Sequence, residues 1–277
     1  VSNNGIELAL GYSNNWAGFG WSSNYTLSSN RNRINELVRN YVHPETGAVI
    51  NKDRLDVGGL GNAHFILKEG GTLGDLYSLT DVKRDDKGYI YVDKDGKVYR
   101  NNNVGDVKLG SVFPKANMAW RNDFSYKGFN LSVMVSARFG GIVYSATQAA
   151  LDLYGVSESS AKARDKGYVE VNGNDYLTPE SWYSTVGGSD GIPQYYTYSA
   201  TNVRLQEASL SYTFKKNHFF GLGDLTLSVT GRNLLMFYCK APFDPETTAT
   251  TSNYYQGIDK FMTPSTRTIG FNIKLKF

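Results

Sequence analysis

A single cysteine, Cys239, stands among 277 residues, which excludes an intrachain disulfide framework and a cysteine-ligated zinc cluster. Three histidines, His43, His64 and His218, are too scattered for a metal motif such as H-E-x-x-H. Neither sign of charge dominates. With 29 basic and 26 acidic residues the net charge is +3, and no Lys/Arg block of the kind that tracks nucleic acid is present. No apolar run reaches the roughly 18–20 residues of a membrane-spanning helix. Barrel strands stay open to the chain, because they need only about 9–11 residues with every second one apolar. A mean hydropathy of -0.39 is compatible with that.

What the chain has in quantity is 20 Tyr, 14 Phe and 29 Gly. Aromatic and β-branched residues suit strands, while glycine and asparagine supply turns, so the composition predicts an all-β protein. Alternation places the strands. Ile6, Leu8, Leu10 and Tyr12 share one side of the first, and Phe19, Trp21, Tyr25 and Leu27 one side of the second. Met118, Trp120, Phe124 and Tyr126 lead into a tight turn at Lys127–Gly128, and Phe129, Leu131, Val133, Val135 and Phe139 leave it. Three more strands carry Leu210, Tyr212 and Phe214; then Leu225, Leu227 and Val229; then Ile269, Phe271, Ile273, Leu275 and Phe277.

The connections alternate in length. Short turns fall near 13–18, at 127–128 and at 215–223, and long polar segments at about 34–112, 141–201 and 238–264. Short turns at one end and long loops at the other is the outer-membrane barrel pattern. Arg121, Asp123, Arg138 and Arg232 sit opposite strings of large apolar residues. In a sandwich these charges face solvent, and in a barrel they face the lumen. Alternation alone does not choose; the sorted loops, and aromatics clustered near the turns as in an interfacial girdle, favour the barrel. Seven strands is an odd count where bacterial barrels use even ones, and the chain opens on VSNNGIELALGYS, with neither an initiator Met nor a signal segment. The expectation is a piece of a longer barrel.

No catalytic set is read. The SSAK at 159–162 matches S-x-x-K without its companion motifs, GGLGNAH lacks the spacing of a dinucleotide loop, and YVDKDGKVY reads as a hairpin with a D-G turn before it reads as a calcium loop. No cofactor and no metal are expected. Candidate contacts with substrate or partner lie in the long loops: Tyr176, Trp182, Tyr183, Tyr195, Tyr196, Tyr198, Asp244, Glu246, Tyr254, Tyr255 and Asp259. Rings can stack on sugar faces or peptide side chains, and carboxylates can accept hydroxyl or amide hydrogens. The competing reading is that these residues pack the loops on themselves.

The series NNGIELALGY, FGWSSNYTLSSNRNRINEL, VGDVKLGSVFPKANMAWRNDFSYKGFNLSVMVSARFGG, NVRLQEASLSYTF, LSVTGRNLL, FDPE and the terminal Phe277 resembles the C-terminal part of SusC/RagA-type TonB-dependent outer-membrane transporters of Bacteroidota. The resemblance implies that residues 1–277 are the last seven or so strands of a 22-stranded transmembrane barrel, with the plug and earlier strands outside this chain. It implies import of oligosaccharides or peptides, with partners in a SusD-like lipoprotein lid, the remainder of the transporter, TonB acting through the plug, and outer-membrane lipid and lipopolysaccharide. It gives the strand of Phe271, Ile273, Leu275 and Phe277 the closure and assembly role. A passive barrel or adhesin that binds a ligand through its loops is the alternative, with a soluble sandwich enzyme behind it.

Overall fold

The computed structural model describes all residues except 174, 216–222, 251–254 and 277. Seven long strands form one antiparallel sheet in chain order: β1 (Ser2–Trp16), β2 (Phe19–Arg33), β3 (Ala116–Tyr126), β4 (Phe129–Phe139), β5 (Asn202–Phe214), β6 (Asp224–Cys239) and β7 (Thr268–Lys276). The predicted hairpin is in register from Tyr126↔Phe129 to Ala116↔Phe139. β1 and β2 run longer than the alternation suggested. Their pairing continues to Trp16↔Phe19, so residues 13–16 belong to the strand and only Ala17–Gly18 turn. Both two-residue turns place both central residues at positive φ, 50° and 87° at Ala17–Gly18 and 46° and 91° at Lys127–Gly128. This is the turn geometry whose twist matches the flanking strands.

One face of the sheet is apolar and open. Leu8, Leu10, Tyr12, Trp120, Leu131, Leu210 and Phe271 all lie exposed on it. Register carries this face across the strands, from Tyr25↔Trp120 through Phe124↔Leu131 and Leu131↔Leu210 to Val229↔Phe271. Near the turns the aromatics gather: Trp21 stacks on Phe124 at 6.5 Å, and Phe129 meets Tyr212 at 4.5 Å. A register shift between Met134 and Val135 inserts an extra residue in β5, so apolar side chains stay on the same face on both sides of the bulge.

The three long connections are not loops in the polar sense the sequence suggested. They fold together into one body with its own core. The segment between β2 and β3 contributes a four-stranded sheet of Arg54–Leu60, Ala63–Lys68, Asp75–Ser78 and Val107–Ser111. The segment between β4 and β5 adds three short helices, α1 (Ala146–Leu153), α2 (Glu158–Lys166) and α3 (Pro179–Val186). The helices are capped by Ser145, Ser157 and Thr178, whose hydroxyls accept the N3 amides. Phe65 and Leu76 from the first connection, Tyr144, Trp182 and Tyr196 from the second and Ile258 from the third share a single cluster. Tyr144 and Ile258 are also joined by parallel strand pairing. No helix among the described residues is long and apolar enough to cross a membrane.

Candidate functional site

Two surfaces hold the candidate residues: the polar face of the sheet and the body above it. On the polar face a row runs Arg121, Met134, Glu207, Arg232 along the register. Arg121 reaches both oxygens of Asp123 at 3.1 Å, and Arg232 reaches Glu207 at 3.2 Å. The charges are therefore neutralised within the face. Arg138 sits at its upper end, half-buried, donating to the Val112 carbonyl at 2.8 Å. Its Nε is buried without a partner among the described residues.

Where this face meets the body, a cavity of about 1160 Å³ opens between Glu7, Ser28, Asn30 and Asn117 of the sheet and Thr72 and Phe113 of the body. Its walls mix hydroxyls and amides with the charged Glu7, Arg31 and Lys115 and the apolar Leu73, Phe113 and Ile142.

The sequence candidates divide by burial. Trp182 and Tyr196 are inside, Trp182 edge-on to Tyr195 at 5.0 Å. Burial pushes the Tyr196 hydroxyl well above the usual phenol range, with the Asp152 carboxylate reinforcing it, and pushes Tyr144 up to about 12. Asp259 is buried and accepts from Ser145 Oγ at 2.6 Å, which ties it to the α1 cap. Tyr183 and Tyr198 are half-buried, the latter edge-on to Phe243 at 5.6 Å. Tyr176, Tyr195 and Tyr255 present open surface, and Tyr254 and Phe277 lie outside the described residues.

Asp244 and Glu246 form a junction with the sheet. Arg204 on β5 donates Nη1 and Nη2 to the two Asp244 oxygens at 2.9 and 2.8 Å, and Asn202 donates to Glu246 at 3.1 Å. Burial works to raise the Asp244 carboxyl, yet the Arg204 hydrogen bond and charge hold it below the usual range. Sequence reasoning missed Arg204, Asn202 and the Asp106 cluster, where Arg54 donates at 2.6 and 2.8 Å and Lys68 stands at 2.9 Å. The only signal for Arg204 was a charge in an otherwise apolar-polar strand.

The remaining motifs are spent structurally. Ser159 of the S-x-x-K donates to Asp152 at 2.8 Å, whereas Lys162 pairs with Glu158 on the exposed side of α2. Nucleophile and base are thus not in contact. Asp93 of the D-x-D-G accepts the Asp95 and Lys97 amides and the Tyr99 hydroxyl, so the carboxylate is consumed by its own turn. Among the described residues no cluster of His, Cys, Asp or Glu could hold a metal ion.

No family model matches the chain. In curated proteins it is 24% identical over 306 residues to TonB-dependent receptor P3 of Formosa agariphila, and 25% identical over 307 residues to TonB-dependent receptor P26 of the same organism. Each alignment covers 100% of this chain and 29% of the relative. In solved structures it superposes on the RagAB peptide importer in its closed-closed state with a TM-score of 0.67, at 18% identity over 99% of this chain and 29% of that one. The open-open state gives 0.66, at 17% identity over 99% and 28%. The chain is SusC/RagA-like. The SusC/RagA-like chain thus spans under a third of the length of these relatives, and its seven-stranded sheet has the fold of part of a barrel of that type.

Proposed function

We propose that the chain is the C-terminal seven-stranded part of a 22-stranded outer-membrane barrel that imports oligosaccharides or peptides at the expense of TonB-transmitted energy. The observation that carries this reading is the open apolar face. On β1 it runs from Trp16 to Ile6, ten steps or about 34 Å along the strand. At the roughly 40° tilt of such barrels that is about 25 Å of height, the apolar band of an outer-membrane protein. A water-soluble sandwich would have to cover this face. The opposite face, carrying Arg121, Asp123, Arg138 and Arg232, then lines the lumen against a plug. The edge strand β7, with Phe271, Ile273 and Leu275 outward, then pairs with the barrel's first strand and removes its exposed edge.

The body built from the three connections faces outward, over the cavity and under a SusD-like lipoprotein lid. That partner is supported by the likeness to the two-component RagAB importer. Within the body, exposed Tyr195, Tyr255 and Glu246 are the substrate or lid contacts, and buried Trp182, Tyr196 and Asp259 hold the scaffold. The test is uptake by cells carrying the intact transporter, with labelled oligosaccharides and peptides offered separately. Uptake should stop when TonB is removed. Entry at an unchanged rate without TonB would replace this reading with the passive barrel.

A further inference from the structure

The cavity between sheet and body carries opposite charges at its two ends. Glu7 on β1, Ser28 on β2 and Asn117 on β3 stand side by side in register on the polar face and line its deeper end. Lys115 lies two residues nearer the body than Asn117, held beside β2 by the Ser29 hydroxyl, which donates to the Lys115 carbonyl at 2.7 Å. Glu7 and Lys115 both line the cavity and are exposed, and among the described residues neither has an opposite charge within 4.0 Å. Arg31 adds a second cation to the lining at the Lys115 end. Lower on the same face the charges are already neutralised, Arg121 by Asp123 and Arg232 by Glu207.

Two sheet spacings separate β1 from β3, about 10 Å, and two residues along the strand add about 7 Å. The Glu7 and Lys115 Cα atoms are therefore roughly 12 Å apart, the reach of about three to four residues of extended chain. Between them Asn30 and Asn117 present side-chain amides that bond to nothing among the described residues. A primary amide both donates and accepts, which complements a peptide unit. Leu73, Phe113 and Ile142 supply an apolar wall on the body side. An uncharged oligosaccharide would use the amides and the ring but leave Glu7 and Lys115 without partners. A peptide with free ends uses all of them.

We propose that this cavity takes a short peptide with free termini, its ammonium inward on Glu7 and its carboxylate outward on Lys115. The inference rests on the importer reading, which decides which end of the sheet faces outward. It deepens that reading by choosing peptide over oligosaccharide and by fixing the direction of entry, amino end first. A reversed peptide would set carboxylate against carboxylate and ammonium against ammonium, so the two charges reject it.

The experiment is calorimetric titration of the intact transporter in detergent, without TonB, using tetra-alanine and its N-acetylated and C-amidated forms. An exposed ion pair is worth up to about fivefold in affinity, so blocking either end should weaken binding to the wild type by about that factor. E7Q should bind free and acetylated peptide alike while still discriminating against the amide, and K115Q should show the converse. E7K should prefer N-succinyl tetra-alanine, whose amino end carries a carboxylate; a variant that merely assembles poorly would not gain that preference. An acetylation penalty undiminished in E7Q would overturn the proposal. Maltotetraose binding the wild type more tightly than tetra-alanine would overturn the choice of peptide. Failure of the importer reading has a separate signature, uptake that is indifferent to TonB, which this binding assay does not measure.

Discussion

At the residue scale the decisive contact is Arg204 with Asp244. The arginine side chain is only 4% exposed, so removing Asp244 takes away both of its short carboxylate bonds and leaves a buried charge with Glu246 alone at 3.4 Å. Asp244→Ala should therefore cost the body about 3–5 kcal/mol, measured as a fall in the denaturant midpoint of its protease resistance. The pair also sets an acid limit. Asp244 is held down by Arg204 against burial, and Asp106 is held down first by its Arg54 bond, with Lys68 assisting and burial opposing. A carboxylate whose folded pKa is depressed contributes stability above its unfolded value, near 4, and that contribution disappears as pH falls through the folded value. Proteolysis of the body should be flat from pH 8 to about 5 and rise steeply below about pH 4. A body equally resistant at pH 2 would show that these bridges contribute nothing. FDPE looked equally fit to order a loop or to bind a ligand, because its partner lies 40 positions away on another element. Spacing along the chain holds no record of that meeting.

At the element scale the two faces of β7 make opposite predictions. Ile273 is exposed on the apolar face, and its neighbour Asn272 points the other way. Ile273→Arg should destabilise the barrel by about 2–4 kcal/mol toward the midplane, and Asn272→Arg by much less, in reversible urea unfolding from liposomes. Equal costs for the two would mean that the apolar face does not meet lipid. The strands were the legible part of the sequence, because a period of two writes the exposed and covered faces directly into Leu8, Leu10 and Tyr12 or Phe271, Ile273 and Leu275. Their ends were less so. Asn14 and Asn15 look like turn residues, yet they continue β1 because β2 offers Trp21 and Gly20 in register. Helices α1 to α3 went unread since each is only eight or nine residues, too short for a 3.6-residue period to stand out.

At the scale of the whole molecule, sheet and body are stabilised by different means. The sheet relies on its ladder and its surroundings, the body on a core shared by three connections. Trp182→Ala should remove about 3–5 kcal/mol from that core. It should expose cleavage sites in all three connections together while leaving the protection of the sheet amides in hydrogen exchange unchanged. Cleavage confined to the second connection would refute a common core. The sequence marked these segments as long and polar, which is true of their surface. It could not reveal that Phe65, Tyr144 and Ile258 meet, since each connection alone carries too few apolar residues to look like a domain.

The sharing of that core has a consequence for how such a protein can diversify. The body enters and leaves the sheet at six crossing points, two for each connection, and its parts are encoded far apart in the gene. A change in any one connection must remain compatible with the other two. Exchange of a single insertion between relatives would join mismatched halves of a core. New specificities are therefore expected to arise by substitution on the body's exposed tyrosines and carboxylates, or by recombination that carries residues 34 to 267 across as one block.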